Sequence, residues 1–217
     1  MVSDVPNKPV LPTIARDGEG EFTEKRSRFL CTLRRVTSPE QAHDVIAQVR
    51  QRDWDGRHHC TAFVLGPHGE TLRSNDDGEP AGTAGAPMLA ALQGAEVTDV
   101  VAVVTRWFGG VLLGTGGLVR AYSKAVTLAI ENVGTVERMR MQVAQLQVPA
   151  AEAGRIDNSL RQWLANNSAT LAGVEYGANA TFTFNLPPKN IDELERWCAQ
   201  AGLAAPTYLD TVISELR

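Results

Sequence analysis

Residues 105–124 read TRWFGGVLLGTGGLVRAYSK, and the architecture of the chain turns on them. Upstream lies the near-continuous apolar run VTDVVAVVTRW, residues 97–107, the composition of a strand buried on both faces. Downstream, LVRAYSKAVTLAIENVG, residues 118–134, has helical periodicity and closes on Gly134 as a C-cap. Between them stand Gly109, Gly110, Gly114, Gly116 and Gly117, which free the backbone for tight turns and close approach. Arg106, Arg120 and Lys124 flank the glycines, and no carboxylate occurs from Val100 to Ile130. A strand-to-helix turn presents free N–H groups and the positive end of a helix dipole, both suited to an anion. Arg120 and Lys124, four apart, share a helix face, where like charges are unfavourable unless an anion or a distant acid compensates them. The alternative is that the glycines only let the helix pack tightly against the sheet.

The turn does not match the common nucleotide loops. Gly109 and Gly114 have GxxxxG spacing, yet Thr115 and Gly116 follow where a P-loop carries Lys and Ser or Thr. A dinucleotide fingerprint starting at Gly114 and Gly116 would need a third glycine where Val119 stands. ATP and NAD sites are disfavoured, and no cofactor is expected.

Working outward, Glu19 to Val36 suggests two short strands broken near EKRS. SPEQAHDVIAQVR then opens a helix with Ser38 as N-cap, Pro39 at the first helical position and Gln41 completing a capping box. Ala42, Val45, Ile46 and Val49 fall on one of its faces. HCTAFVLG and ETLRSN read as a hairpin, followed by a short helix near APMLAALQ. Past about Met139 the order is strand MQVAQLQV, helix AAEAGRIDNSLRQWLAN, strands ATLAGVEYG and ANATFTFNL, helix KNIDELERWCAQ and strand PTYLDTVI. That βαββαβ order is a ferredoxin-like sandwich. The expectation is an α+β protein with a flexible lead-in over residues 1–18 and two domains, 19–138 and 139–217.

With 217 residues, 43% hydrophobic and 21% charged, the chain has ordinary globular composition. Residues 1–20 hold no apolar core of signal-peptide length, and no other apolar run could span a bilayer, so a cytoplasmic protein without a membrane partner is expected. Cys31, Cys60 and Cys198 are scattered and odd in number, which reads as reduced, half-buried thiols. A formal net charge of −4 argues against nucleic acid, but Lys25, Arg26, Arg28, Arg34 and Arg35 cluster in a stretch without acids.

Two further motifs carry candidate chemistry. SNDDGEPAGTAG sets Asp76, Asp77 and Glu79 around Gly78, a density that suits magnesium or acid–base work but lacks EF-hand spacing. The alternative there is Asx-turn geometry with N-capping of the next helix. In DGRHHC, His58 and His59 would point to opposite faces of a strand and cannot share an ion, so no metal site is expected. One of these histidines could pair with Asp76 or Asp77 as an acid–base element; the alternative is a buried, satisfied histidine. Phe182 and Phe184 share a sheet face beside the acidic helix IDELERW and read as core rather than as an RNA-stacking platform.

RHHCTAFVLG, RSNDDGEPAGTAGAPML and VVTRWFGGVLLGTGGLVRAYSKAV together resemble the signature blocks of the YigZ-type, Impact N-terminal-domain family over roughly residues 20–135. The segment that follows resembles the C-terminal domain of the family's bacterial branch. The resemblance implies a first domain like the second domain of ribosomal protein S-five and a second like a terminal domain of elongation factor G. It also implies translational control: eukaryotic members resemble regulators that compete for an activator of the amino-acid-starvation kinase, while the bacterial branch has no established reaction. Carried over to this chain, the shared surface is Arg57, His58, Asp76, Asp77, Glu79, Arg106, Gly109, Gly110, Gly114, Gly116, Gly117 and Arg120. Lys124 joins this set from its place on the helix face. Two departures stand out, Ala86 before Pro87 and Leu112 before Leu113, where the family pattern leads us to expect lysines.

Three functions stay open on the sequence. The leading one is an RNA- or ribosome-binding protein whose glycine and arginine surface contacts phosphates, with the second domain a docking module. Another is a small hydrolase or phosphotransferase built on Asp76, Asp77, Glu79 and a histidine, although no catalytic residue can be named and no nucleophile elbow supports it. The third is a regulator that binds only protein, its partner a translation-regulatory protein, which the net charge fits best. Oligomeric state is not legible. For the site, the sequence predicts that the N–H groups of Gly116, Gly117 and Leu118 face solvent or an anion, and that His58, His59 and the acidic segment lie beside the turn.

Overall fold

The structure, a computed structural model, describes residues 9–216. Its Cα packing divides the chain into two compact units, residues 1–138 and 139–217. The first unit contains β1 (Thr13–Ile14), β2 (Gly18–Glu24), β3 (Ser27–Arg35), α1 (Pro39–Arg52), β4 (His58–Leu65), β5 (Thr71–Asn75), α2 (Gly85–Gly94), β6 (Val100–Trp107), α3 (Thr115–Val133) and β7 (Thr135–Val136). Five strands form an antiparallel sheet in the order β2-β3-β6-β4-β5. The apolar run at 97–107 thus supplies the central strand, as its composition requires.

Side chains on β6 alternate between two cores. Val100, Ala102 and Val104 pack under α2 and α3, while Val101 and Val103 pack with Ala42 and Val49 of α1. The capping box at α1 forms with one displacement. Ser38 Oγ accepts the Gln41 amide at 3.3 Å, but Gln41 Oε1 accepts the amide of Thr37, one residue before the cap, at 2.8 Å. Gly134 ends α3 as its C-cap, its amide donating to the Ile130 carbonyl at 2.8 Å and its φ of 71° with ψ 177° a backbone conformation open mainly to glycine.

Residues 1–8 of the expected flexible lead-in lie outside the described residues, and residues 9–18 correct it. The Leu11 amide donates to Pro67 at 2.8 Å, Thr13 and Ile14 pair with Val136 and Thr135, and Ile14 is fully buried. A second correction concerns the thiols. Cys31, Cys60 and Cys198 are buried rather than half-buried, and burial pushes Cys60 up to about 12 and Cys198 up to about 11.

In the second unit, β8 (Arg138–Pro149), α4 (Ala153–Asn166), β9 (Thr170–Tyr176), β10 (Asn179–Leu186), α5 (Ile191–Gln200) and β11 (Thr207–Glu215) form a βαββαβ fold with sheet order β11-β8-β10-β9. This is the ferredoxin-like sandwich read from the sequence. Phe182 and Phe184 are fully buried with Leu146, Ile156, Leu160 and Leu194. Among the described residues no helix is long and apolar enough to cross a membrane.

Candidate anion-binding site

The alternation along β6 carries Arg106 to the α3 side of the sheet, where its side chain is enclosed and the residue is only 5% exposed. Its Nη1 donates to Glu79 Oε1 at 2.6 Å, and the same oxygen accepts the Tyr122 hydroxyl at 2.8 Å. Nη2 reaches Ser27 Oγ at 3.4 Å, and the buried Nε–H has no acceptor. Burial holds the Tyr122 hydroxyl far above its ordinary pKa, so it stays a donor. The expectation that Arg106 offers its charge outward to a phosphate is therefore corrected: Glu79 neutralises it inside the fold.

The other two acids of the cluster are also engaged. Asp76 accepts the amides of Gly82 at 2.8 Å, Ala84 at 3.1 Å and Gly85 at 2.8 Å, which fixes the loop and caps α2 from a distance. Burial alone would raise its pKa; the three backbone donors outweigh burial and hold it below its ordinary value. Asp77 accepts Arg50 at 2.6 Å and the His59 amide at 2.7 Å. Asp76 alone of the three reaches the start of α2, and among the described residues no three His, Cys, Asp or Glu side chains are grouped to hold a metal ion.

The histidines part company as their strand positions require. His59 is buried, with Nε2 on the Asp53 carbonyl at 2.9 Å and Nδ1 4.0 Å from Asp77. His58 Nδ1 lies 2.8 Å from the Asp77 carbonyl, which can only accept, so Nδ1 carries a proton and donates it there. The His58 ring therefore meets a backbone oxygen where the sequence suggested a carboxylate.

The glycine turn divides into close approach and left-handed backbone. A Cβ on Gly109 would stand 1.9 Å from the Arg26 carbonyl, so only glycine lets the loop lie against the β2–β3 turn. Gly114 precedes α3 with φ 74° and offers no side-chain cap. Of the amides expected to be free, Leu118 is corrected, since it donates to Gly114 at 2.9 Å. Those of Thr115, Gly116 and Gly117 have no partner within the helix.

The expected site residues surround not one cleft but two, with Leu113 between them. A cleft of about 550 Å³ is lined by Arg57, His58, Glu79, Arg106, Gly114 and Thr115, with Phe108 and Leu112 on its apolar side. A smaller groove of about 230 Å³ is lined by Lys25, Gly117, Arg120 and Lys124 together with Phe22 and Glu24. Gly110 stays exposed in the loop, and Asp76 and Asp77 line neither cavity. Sequence reasoning omitted Lys25, Phe108, Tyr122 and Ser27 from the site. Lys25 did have a signal in the acid-free stretch, but the pairing of Arg28 with Trp107 that brings its turn to the glycine loop is long-range.

Comparison with known proteins places this geometry in a family. The Impact N-terminal domain matches residues 25–130, and the Domain of unknown function (DUF1949) matches residues 158–202. IMPACT family member YvyE of Bacillus subtilis strain 168 is 36% identical over 94% of this chain and 96% of its own length. IMPACT family member YigZ of Escherichia coli K12 is 45% identical over 57% of this chain and 61% of its own. A crystal structure described as that of a hypothetical protein, 33% identical, superposes with a TM-score of 0.63 over 93% of this chain and 97% of its own. With a relative of 36% identity matched along nearly its whole length, the chain belongs to the IMPACT family.

Proposed function

We propose that this chain is a translation-associated regulatory protein of the cytoplasm that binds RNA phosphates, as in the ribosome, through the glycine-loop end of its first unit. One observation carries the reading. Lys25, Arg26, Arg57, Arg120 and Lys124 are all exposed there, and among the described residues no carboxylate lies within ion-pair distance of any of them. Nearby Arg28, Arg50 and Arg52, by contrast, are each paired with an acid. A protein of net charge −4 that leaves these cations unmatched at one end has a local field suited to a polyanion.

The test is binding of ribosomes or ribosomal RNA followed across a salt series. Arg120→Ala and Lys124→Ala should each lower the salt slope by about one unit, uniformly across RNA sequences, because each removes one phosphate contact. Absence of binding at low salt, or a slope unchanged in both variants, overturns the reading.

A second reading, a surface for a translation-regulatory protein, draws on Leu112, which is 81% exposed, and its exposed neighbours Phe108 and Val111. The hydrolase reading has less support, because Asp76, Asp77 and Glu79 are each held by other groups of the fold.

A further inference from the structure

Strand β11 is an edge of the second unit's sheet, and we propose that it is a self-association surface: a second copy of this chain pairs antiparallel through its own β11, making a weak two-fold dimer. The edge strands of the two sheets differ in how they guard against such pairing. β2 carries Glu19, Glu21 and Glu24 in seven residues, β5 is five residues long and holds Arg73, and β9 breaks its register between Gly173 and Leu171. β11 spans nine residues, TYLDTVISE, without proline, glycine, lysine or arginine. It leaves Leu209 45%, Val212 38% and Ile213 39% exposed, and its outer edge pairs with no strand among the described residues. A long apolar edge of this kind is a template for another strand.

Backbone and side chains select the same register, and that register is self-complementary. The Gln142 side chain of β8 donates to the Leu209 carbonyl, which therefore faces β8. By the alternation of antiparallel pairing, Tyr208, Asp210, Val212 and Ser214 turn their N–H and C=O groups outward. Tyr208 packs against the core beneath the helices, so Leu209, Thr211 and Ile213 project from the opposite face. A two-fold axis normal to the sheet keeps each face on its own side and must pass through a residue paired with itself. With the axis at Thr211, Leu209 of each copy stands opposite Ile213 of the other and Thr211 meets Thr211, in the close pairs that exchange no backbone bonds. Asp210 with Val212, and Tyr208 with Ser214, then exchange the hydrogen bonds. An axis at Asp210 would oppose two carboxylates, and one at Val212 would set Leu209 against Glu215. A single strand pair is a small interface, and at the Thr211 axis the two Asp210 carboxylates stand diagonally across it, so the dimer is reversible.

The experiment is sedimentation equilibrium of the full chain over a wide concentration range, with hydrogen exchange read at both ends of that range. The dimer fraction should rise with concentration, and the protection gained should fall in β11. Ile213→Lys places a charge at an exposed edge position and should weaken association at least tenfold, while the urea midpoint of the second unit stays near that of the parent. Two cysteine variants test the register without adding charge. The native thiols of Cys31, Cys60 and Cys198 are buried, so each variant carries one accessible thiol. Thr211→Cys brings its two copies together at the axis and should form the intermolecular disulfide at least tenfold faster than Val212→Cys, whose copies lie diagonally, beyond the usual Cβ separation of a disulfide. A chain that stays monomeric throughout, parental association in a folded Ile213→Lys, cross-linking of Val212→Cys as fast as that of Thr211→Cys, or protection gained only outside β11 would each overturn the proposal.

Discussion

The two units bury different chemistry. In the second, Phe182, Phe184, Leu146, Ile156 and Leu194 fill an interior without buried polar or charged residues among those described. The first unit buries Arg106, Glu79, Asp53, His59 and Thr105, and these lie where β6 ends and β4 begins. Taking charges out of water is expensive, and a buried ion pair often stabilises no more than apolar residues of the same volume. A fold that needs only stability has the second unit's solution available to it. The first unit keeps its buried charges directly beneath a cleft and a glycine loop, which marks that end as the place where selection on function rather than on folding would act.

The sharpest way to break this contrast is to damage each interior by its own mechanism. Glu79→Gln leaves Arg106 charged and unpaired, and should destabilise the first unit by about 3–5 kcal/mol. Phe184→Ala should destabilise the second by a similar ~3–5 kcal/mol, through lost burial and a cavity. Hydrogen exchange followed by mass spectrometry separates the two, since protection should fall in residues 9–138 for the first variant and in residues 139–216 for the second. The triple replacement Glu79→Leu, Arg106→Met and Tyr122→Phe, which also removes the hydroxyl that Glu79 accepts, should recover most of the stability. If the triple variant is as unstable as Glu79→Gln, the ion pair serves the fold and the contrast fails.

A smaller effect is expected at Asp76, whose carboxylate holds three amides at the start of α2. Asp76→Ala leaves those donors without their acceptor and should cost about 1–3 kcal/mol. The sign of the pH dependence follows from the lowered pKa. Ionised Asp76 stabilises the fold above the unfolded carboxyl value of about 3.9, and that contribution is lost as pH falls through the lower folded value. Urea midpoints for the first unit should therefore fall more steeply with acid in the parent than in Asp76→Asn. Identical acid profiles would show that the three contacts do not favour the ionised form.

Much of this fold is legible because its signals are local. The run at 97–107, the capped helix from Ser38 and the βαββαβ order after Met139 each follow from residues near one another in sequence, and each forms. The hairpin at Lys25 and Arg26 is harder to read. Both residues have positive φ, 44° and 67°, the geometry of a tight two-residue turn, yet neither is the glycine or asparagine that usually announces it. The arrangement of the candidate site is harder still to read. Arg120 and Lys124 do share a helix face, but Glu79 meets Arg106 across 27 positions, and the division of the cations between two cavities depends on Leu113 projecting between them. No local pattern encodes such a pairing.

The smallest change in stability, and the one that decides between partners, is expected from Ala86→Lys with Leu112→Lys. Both positions are exposed, Leu112 at 81%, so the fold should shift by no more than about 0.5 kcal/mol even with a lysine in the first turn of α2. If the glycine-loop end binds RNA phosphates, two added cations should tighten binding at low salt and steepen the salt slope by up to about two units. If the same end instead docks an apolar face of a protein, replacing the exposed Leu112 removes a contact, and affinity for that partner should fall while RNA stays unbound. Fluorescence anisotropy with ribosomal RNA fragments across a salt series reads the first outcome directly. Tighter, more salt-sensitive binding in the double variant supports the polyanion surface, and a parent and variant that both ignore RNA at low salt transfer the exposed Leu112, Phe108 and Val111 to a protein partner.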